Sequence, residues 1–308
     1  MKKLTNIVFT RNRPLQFEGY LRSFYGFLPR EITQTIVIYK KDLFDEQYQG
    51  IFRQYPDMKI ITETDFHKEF CEVVNSVDTP FINFGTDDVV YYDGVDLDVI
   101  ERAFETYADD IFGFSLRISP ETLLQQDNYQ SCGDIYSVNW KQAHSANAKY
   151  PFELNSTIYK TSLIKTILSS VSRKHPLLAK FLKKDSFTTI LLGKLISTKH
   201  LLIAIHSFKN PNDLESNCHR YCKRCKNKLP ENLYFQKLCA SAIQINTVNP
   251  AVKNQIIPQQ GLDIYSLNKK FSQGYRLDVD YLIKNKPRQT HADKNDILGF
   301  MFRLLTRN

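Results

Sequence analysis

The sequence predicts an α/β protein whose mainly parallel sheet is covered by helices on both faces. Three observations predict it. Short apolar runs rich in β-branched residues recur through the first 119 of the 308 residues. Each run stops at polar residues, and most are followed by a stretch with apolar side chains at helical spacing. Strands that alternate with helices in this way pair most simply as parallel neighbours joined by crossovers.

The elements follow in order. "LTNIVFT" (4–10) reads as a buried first strand. "PLQFEGYLRSFYGFL" (14–28) carries Leu15, Tyr20, Leu21, Phe24 and Phe27 near helical spacing, and Pro14 suits a first turn. "QTIVIYK" (34–40) is a strand, "LFDEQYQGIFRQY" (43–55) a helix and "MKIIT" (58–62) a strand. "DFHKEFCEVVNSV" (65–77) is a helix that Asp65 can cap. "PFINFG" (80–85) is a strand, "DLDVIERAFETYA" (96–108) an amphipathic helix and "DIFGFSLRIS" (110–119) a strand. The pattern then loosens: "QQDNYQSCGD" reads as a loop and "IYSVNW" (135–140) as a strand. Residues 161–205 read as helices with a lysine-rich exterior, 209–232 as a long polar loop, and the chain past 260 as helical again, broken near "NKP". "ENLYFQ" (231–236) spells a protease recognition sequence, but it sits mid-chain before Lys237 and is read as native. The expected division is a core over 1–164 and a mostly helical, basic part over 165–308.

Charge is unevenly spread. Residues 1–140 hold 13 Lys and Arg against 23 Asp and Glu, whereas 141–308 hold 28 against 10. The second part is therefore net +18, which favours anionic partners or is simply a solvated lysine-rich surface. No apolar run reaches the roughly 18 residues that span a bilayer, and the N-terminal apolar run is too short for a secretory leader. The expected location is the cytoplasm. Six cysteines without secretory context read as thiols or a metal site rather than disulfides.

One motif carries chemistry. "FINFGTDDVVYYDG" (81–94) ends an apolar strand in adjacent carboxylates, Asp87 and Asp88. In an open parallel sheet, ligands collect beyond the carboxyl ends of the strands. Two adjacent acids there repel unless a cation compensates, and Mg²⁺ or Mn²⁺ prefers oxygen ligands shared with substrate phosphates. The plainer alternative is an exposed turn. The first strand ends in "FTRNRP", which puts Thr10, Arg11 and Arg13 on the same rim, where guanidinium groups can grip phosphate. Glu63 or Asp65 in "ITETD" is a further strand-exit acid that could face a nucleotide.

These residues carry a resemblance. A first strand ending in "FTRNRP", the strand "TIVIYK" and "FGTDDVVYY" resemble the Rossmann-like nucleotide-sugar domain of GT-A glycosyltransferases, especially the family-2-like bacterial enzymes of surface-polysaccharide synthesis. The resemblance covers residues 4–164. It implies a nucleotide-diphosphate-sugar donor, a glycan or lipid-linked acceptor and a cation on the acidic motif. Here the motif stands as Thr86-Asp87-Asp88, without the first acid of D-x-D. By position Asp88 matches the metal ligand and Asp87 the acid near the ribose, and the pair together is the expected metal site. The segment 140–164 is similar to the one in which these enzymes place acceptor-side residues.

An inverting transferase needs a carboxylate to deprotonate the acceptor hydroxyl. Glu153 in "YPFELNS" is the first candidate, one of two acids between 141 and 204; Asp134 is the second. Against Glu153 stands a simple salt bridge to a neighbouring lysine. "CHRYCKRC" gives Cys218-x3-Cys222-x2-Cys225, half of a structural zinc site, with His219, Cys239 or His206 as a possible fourth ligand. "NDILGFMFRLLTRN" (295–308) reads as a helix that either docks on the core or lies at an anionic membrane surface, making the protein peripheral at the inner face. Two alternatives compete. A sugar nucleotidyltransferase normally has glycines after its first strand, which "TRNRPLQFEG" lacks. A nucleic-acid-binding module would interleave aromatics with basic patches, and here the basic residues are scattered, so nucleic acid is not an expected partner.

Overall fold

The computed structural model describes residues 1–107, 110–171, 208–224, 229–246, 261–292 and 303–304. Its centre is a nine-stranded sheet. The first strands are β1 (Leu4–Thr10), β2 (Thr33–Tyr39), β3 (Lys59–Thr62), β4 (Phe81–Thr86), β5 (Val89–Tyr91) and β6 (Ile111–Ser115). Then come β7 (Tyr129–Cys132), β8 (Ile135–Asn139), β9 (Thr157–Lys160), β10 (Glu231–Phe235) and β11 (Ala240–Ala242). The sheet order is β3-β2-β1-β4-β9-β6-β10-β8-β7. Neighbours β3-β2-β1-β4 are parallel. Strand β9 runs against both β4 and β6, and β8 runs against both β10 and β7, while β6 and β10 are parallel. The α/β, mainly parallel class expected from the sequence is the one observed.

Two apolar layers cover the sheet because β1 and β2 alternate with period two. Leu4 and Val8, with Val37 and Tyr39, enter one core. Ile7 and Phe9, with Ile36 and Ile38, enter the other. The first core is closed by α1 (Pro14–Phe27), α2 (Asp45–Gln54) and α4 (Leu97–Thr106), the second by α3 (Phe66–Ser76) and α5 (Thr161–Val171). Asp65 caps α3 as expected, accepting from the Lys68 N–H at 3.1 Å. Gly85 is needed where β4 meets α1, because a Cβ there would collide with the Tyr20 phenol ring.

The chain beyond 164 returns to this sheet. Strand β10, the first five residues of "ENLYFQ", lies between β6 and β8, and β11 pairs with β5. The long loop expected over 209–232 is largely helix α6 (Pro211–Arg224). Leu214, Cys218 and Cys222 fall at i, i+4 and i+8 and are all buried in the second core, so these cysteines act as small apolar side chains. Cys225 lies outside the described residues, and among those described no cluster of three or more His, Cys, Asp or Glu forms a metal shell. Helices α7 (Ile264–Ser272) and α8 (Val279–Lys284) meet the expectation past 260. Of the C-terminal segment expected as a helix, Arg303–Leu304 is a strand, β13, paired with β12 (Tyr275–Arg276); backbone pairing there replaces helical hydrogen bonds. The rest of that segment lies outside the described residues. Among the described residues no helix is long and apolar enough to cross a membrane.

Candidate functional site

A cavity of about 710 Å³ opens beyond the carboxyl ends of β1, β2 and β4, between that sheet edge and the N-terminus of α6. One wall is the end of β1. Asn12 sits in the left-handed region at φ 56°, a conformation asparagine tolerates, so the chain reverses sharply between β1 and α1. Its side chain fastens the turn by accepting from the Leu43 N–H at 2.8 Å and donating to Asp42 at 3.1 Å. The reversal carries Arg13 back over the strand end, where its own N–H donates to the Tyr48 hydroxyl at 2.9 Å.

The two aspartates have different environments. Asp87 is 1% exposed; its Oδ2 accepts from the Thr10 hydroxyl at 2.9 Å and the Arg11 N–H at 3.3 Å, and Oδ1 pairs with the Arg13 guanidinium. It brackets β1 to β4, and both its oxygens are engaged. Burial pushes its pKa up to about 6, opposed by Arg13 and assisted by Asp88. Asp88 borders the cavity. It accepts from the Thr86 hydroxyl at 2.7 Å and pairs with Arg13 at 3.3 Å. Burial alone would lower the Arg13 pKa, but the two carboxylates hold it above its ordinary value. The acidic pair is thus already balanced by one guanidinium.

A divalent cation fits this site through Asp88 alone. Asp87 was expected to share the ligation, but its oxygens are turned into the strand bracket. With no third acid or imidazole closing a shell among the described residues, a hard cation would take most of its oxygens from a diphosphate and water.

Across the cavity stands Glu153. Its Oε2 pairs with Arg117 at 3.3 Å and its Oε1 accepts from the Thr157 hydroxyl at 2.5 Å. Burial raises its pKa, opposed by Arg117 and Thr157. The loop from Glu153 to β9 passes through Ser156 at φ 62°, a left-handed serine held by the Tyr91 hydroxyl at 2.8 Å. Arg117 is 2% exposed, and it also donates to the Asn155 and Thr290 carbonyls and approaches His291 Nε2 at 3.3 Å. Burial and the Arg117 charge push His291 down to about 4, so its ring is neutral at pH 7 and can accept from Arg117.

Of the other expected residues, Thr10, Arg11 and Glu63 border the cavity. Arg11 pairs with Asp42 at 2.8 Å and Glu63 with Lys40 at 2.9 Å. Asp65 is occupied as the α3 cap and does not border it. Asp134 lies exposed on the β7–β8 turn beside Gly133, whose φ is 72°, and is outside the cavity. Sequence reading missed Arg117, Glu215 and His291. Arg117 had a signal, a lone cation just past the apolar run "IFGFS". Glu215 was hidden in a stretch read as loop, and His291 has no local signal.

No protein-family model matches the chain. It is 22% identical over 192 residues to the bifunctional glycosyltransferase pgtA of Dictyostelium discoideum, a match covering 54% of this chain. The match spans 25% of that curated relative's length. Among solved structures it is similar to S. aureus TarS in complex with UDP, with TM-score 0.40 and 16% identity, covering 54% of this chain and 48% of that one. It is also similar to the mannosyltransferase PcManGT of Pyrobaculum calidifontis in complex with GDP-Man and Mn²⁺, with TM-score 0.34 and 13% identity, covering 70% and 68%.

Proposed function

We propose that this chain is a GT-A-type glycosyltransferase that moves a sugar from a nucleotide-diphosphate donor to an acceptor hydroxyl with inversion. The observation that carries the reading is the cavity itself. Asp88 and Arg13 stand at the carboxyl ends of β1 and β4, and Glu153 faces the same space from the opposite wall. The 22% identity to a curated glycosyltransferase supports the class of reaction.

In this reading Thr10, Arg11 and Glu63 meet the nucleoside side of the donor, and Asp87 holds the strand ends that carry them. Asp88 is the protein ligand of Mn²⁺ or Mg²⁺, which when bound would neutralise charge on the leaving diphosphate. Arg13, released in part from Asp88, is placed to contact phosphate oxygens. Glu153 takes the proton of the attacking hydroxyl. Its raised proton affinity suits that task, and Arg117 keeps it ionised before the step. The acceptor is a glycan or a lipid-linked saccharide, and the net +18 of residues 141–308 draws the protein to an anionic surface.

A thermal-shift panel of nucleoside diphosphates, with and without Mn²⁺, tests the reading. A ligand at a hundred times its Kd stabilises by about 2.7 kcal/mol, which appears as a rise of a few degrees. One base should stand out, with a larger shift when Mn²⁺ is present. If no nucleoside diphosphate moves the transition, the proposal fails.

A further inference from the structure

The wall opposite the acidic pair is built by the Ala146–Glu153 segment and the start of α6. Tyr150 is its aromatic element. The Tyr150 ring stacks on His219 with centroids 3.7 Å apart and planes 16° from parallel. His219 is buried, and burial together with Lys223 and Arg220 pushes its pKa down to about 4. The pair is therefore a neutral stack at pH 7. Tyr150 is half-buried and borders the cavity, and with one face taken by His219 it offers the cavity its other face or its edge.

Beside it lie two polar groups. Glu215 Oε1 accepts from the Leu154 N–H at 3.1 Å, which sets its carboxyl next to that of Glu153. Burial first, then the Glu153 charge, raise its pKa to about 7. Asn147 donates to the Thr290 hydroxyl at 2.9 Å. Its amide oxygen has no partner in that bond, and the residue borders the cavity.

The chemistry of this wall selects among acceptors. Two neighbouring carboxyls lie deep in this wall beside the buried Arg117, which pairs with Glu153, while Lys209 stands exposed at the rim. A phosphate or carboxylate seated against Glu215 meets the carboxyls first and is disfavoured. A flat π surface attracts the C–H face of a ring through its negative quadrupole. A carboxyl and an amide suit hydroxyl donors and acceptors. Resting on the glycosyltransferase reading above, we infer that Tyr150, Glu215 and Asn147 form the acceptor subsite and that its occupant is an uncharged sugar ring rather than a phosphorylated acceptor. Glu215 binds a hydroxyl that does not react, while Glu153 faces the one that does.

Saturation-transfer NMR on the full chain tests this with two sets of probes. The neutral set is the methyl glycosides of glucose, galactose, mannose and N-acetylglucosamine; the anionic set is geranyl phosphate and glycerol 3-phosphate. UDP and GDP binding is measured in parallel as a report on the donor side. At least one neutral glycoside should bind and the anionic probes should not. Tyr150→Ala and Glu215→Gln should each weaken that binding roughly tenfold, while Tyr150→Phe preserves it and nucleotide affinity stays constant. Tyr150→Phe and Glu215→Gln keep the test open if Tyr150→Ala does not fold. Binding of the anionic probes alone, of no glycoside, or of glycosides undiminished in both Tyr150→Ala and Glu215→Gln overturns the inference. Glycoside binding that depends on Tyr150 in a chain that binds no nucleotide would instead overturn the transferase reading and leave the sugar subsite standing.

Discussion

Replacing Arg13 by methionine keeps most of the side chain's bulk and removes the guanidinium that pairs with both Asp87 and Asp88. At the 3.3 Å separation from Asp88, one such attraction is roughly 5 kcal/mol at an effective dielectric constant near 20. Desolvation offsets much of that, and breaking a buried pair costs about 3–5 kcal/mol net because a charge is left unbalanced. Asp87 has a way to reduce the loss. Burial already pushes its pKa up to about 6, and Arg13 opposes the rise, so the variant's Asp87 titrates higher still. Between the ordinary carboxylate range and that raised value, the native state holds a proton that the unfolded chain releases. Stability therefore falls as pH rises through this window, by at most about 1.4 kcal/mol per pH unit for one proton. In the parent the Asp87 contribution to this fall ends near pH 6; in Arg13→Met it continues above. Urea denaturation of both proteins at pH 5, 6, 7 and 8 should show a deficit that is smallest at pH 5 and widens above pH 6. Mn²⁺ should narrow it at pH 8 by supplying the missing positive charge. A deficit independent of pH, or none, would refute the view that Arg13 balances this acidic pair.

Four further outcomes are expected. Asp88→Asn should fold normally but lose turnover and the Mn²⁺ enhancement of donor binding; full activity would end its assignment as the metal ligand. Glu153→Gln should lower turnover by roughly 10²-fold with donor affinity little changed, measured under saturating donor, and a collapse of donor affinity instead would make it a binding residue. Because Glu215 is raised to about 7, it should destabilise the parent as pH climbs from its ordinary range to neutrality, and denaturation of Glu215→Gln across pH 4.5–7.5 should lack that slope. The net +18 of residues 141–308 should give binding to phosphatidylserine vesicles that weakens with salt, with a salt-resistant remainder lost on deleting 295–308; indifference to such vesicles at low salt would remove the membrane from the proposal.

Local patterning determined much of the first 119 residues. The apolar, β-branched runs of β1 and β2, the cap at Asp65 and the proline opening α1 act over a few residues, so they are legible without knowing any partner. The acidic pair was legible for the same reason, since a polar end to a buried strand marks the sheet edge where ligands collect. Its meaning was not. Whether Asp87 and Asp88 meet a cation, water or a side chain depends on Arg13 being folded back by the left-handed turn at Asn12, a matter of φ rather than of composition. The second half was harder, because periodicity states which face is buried but not against what. "CHRYCKRC" looked like a metal half-site, and packing against the second core made its first two cysteines part of an apolar helix face. "ENLYFQ" begins inside the stretch expected as a polar loop, yet its residues 231–235 pair with two strands more than 90 positions earlier. Arg117, Glu153, Glu215 and His291 are dispersed along the chain, and only tertiary packing gathers them around one cavity, where a buried guanidinium must find its carboxylate and two carboxyls must share a low-dielectric wall.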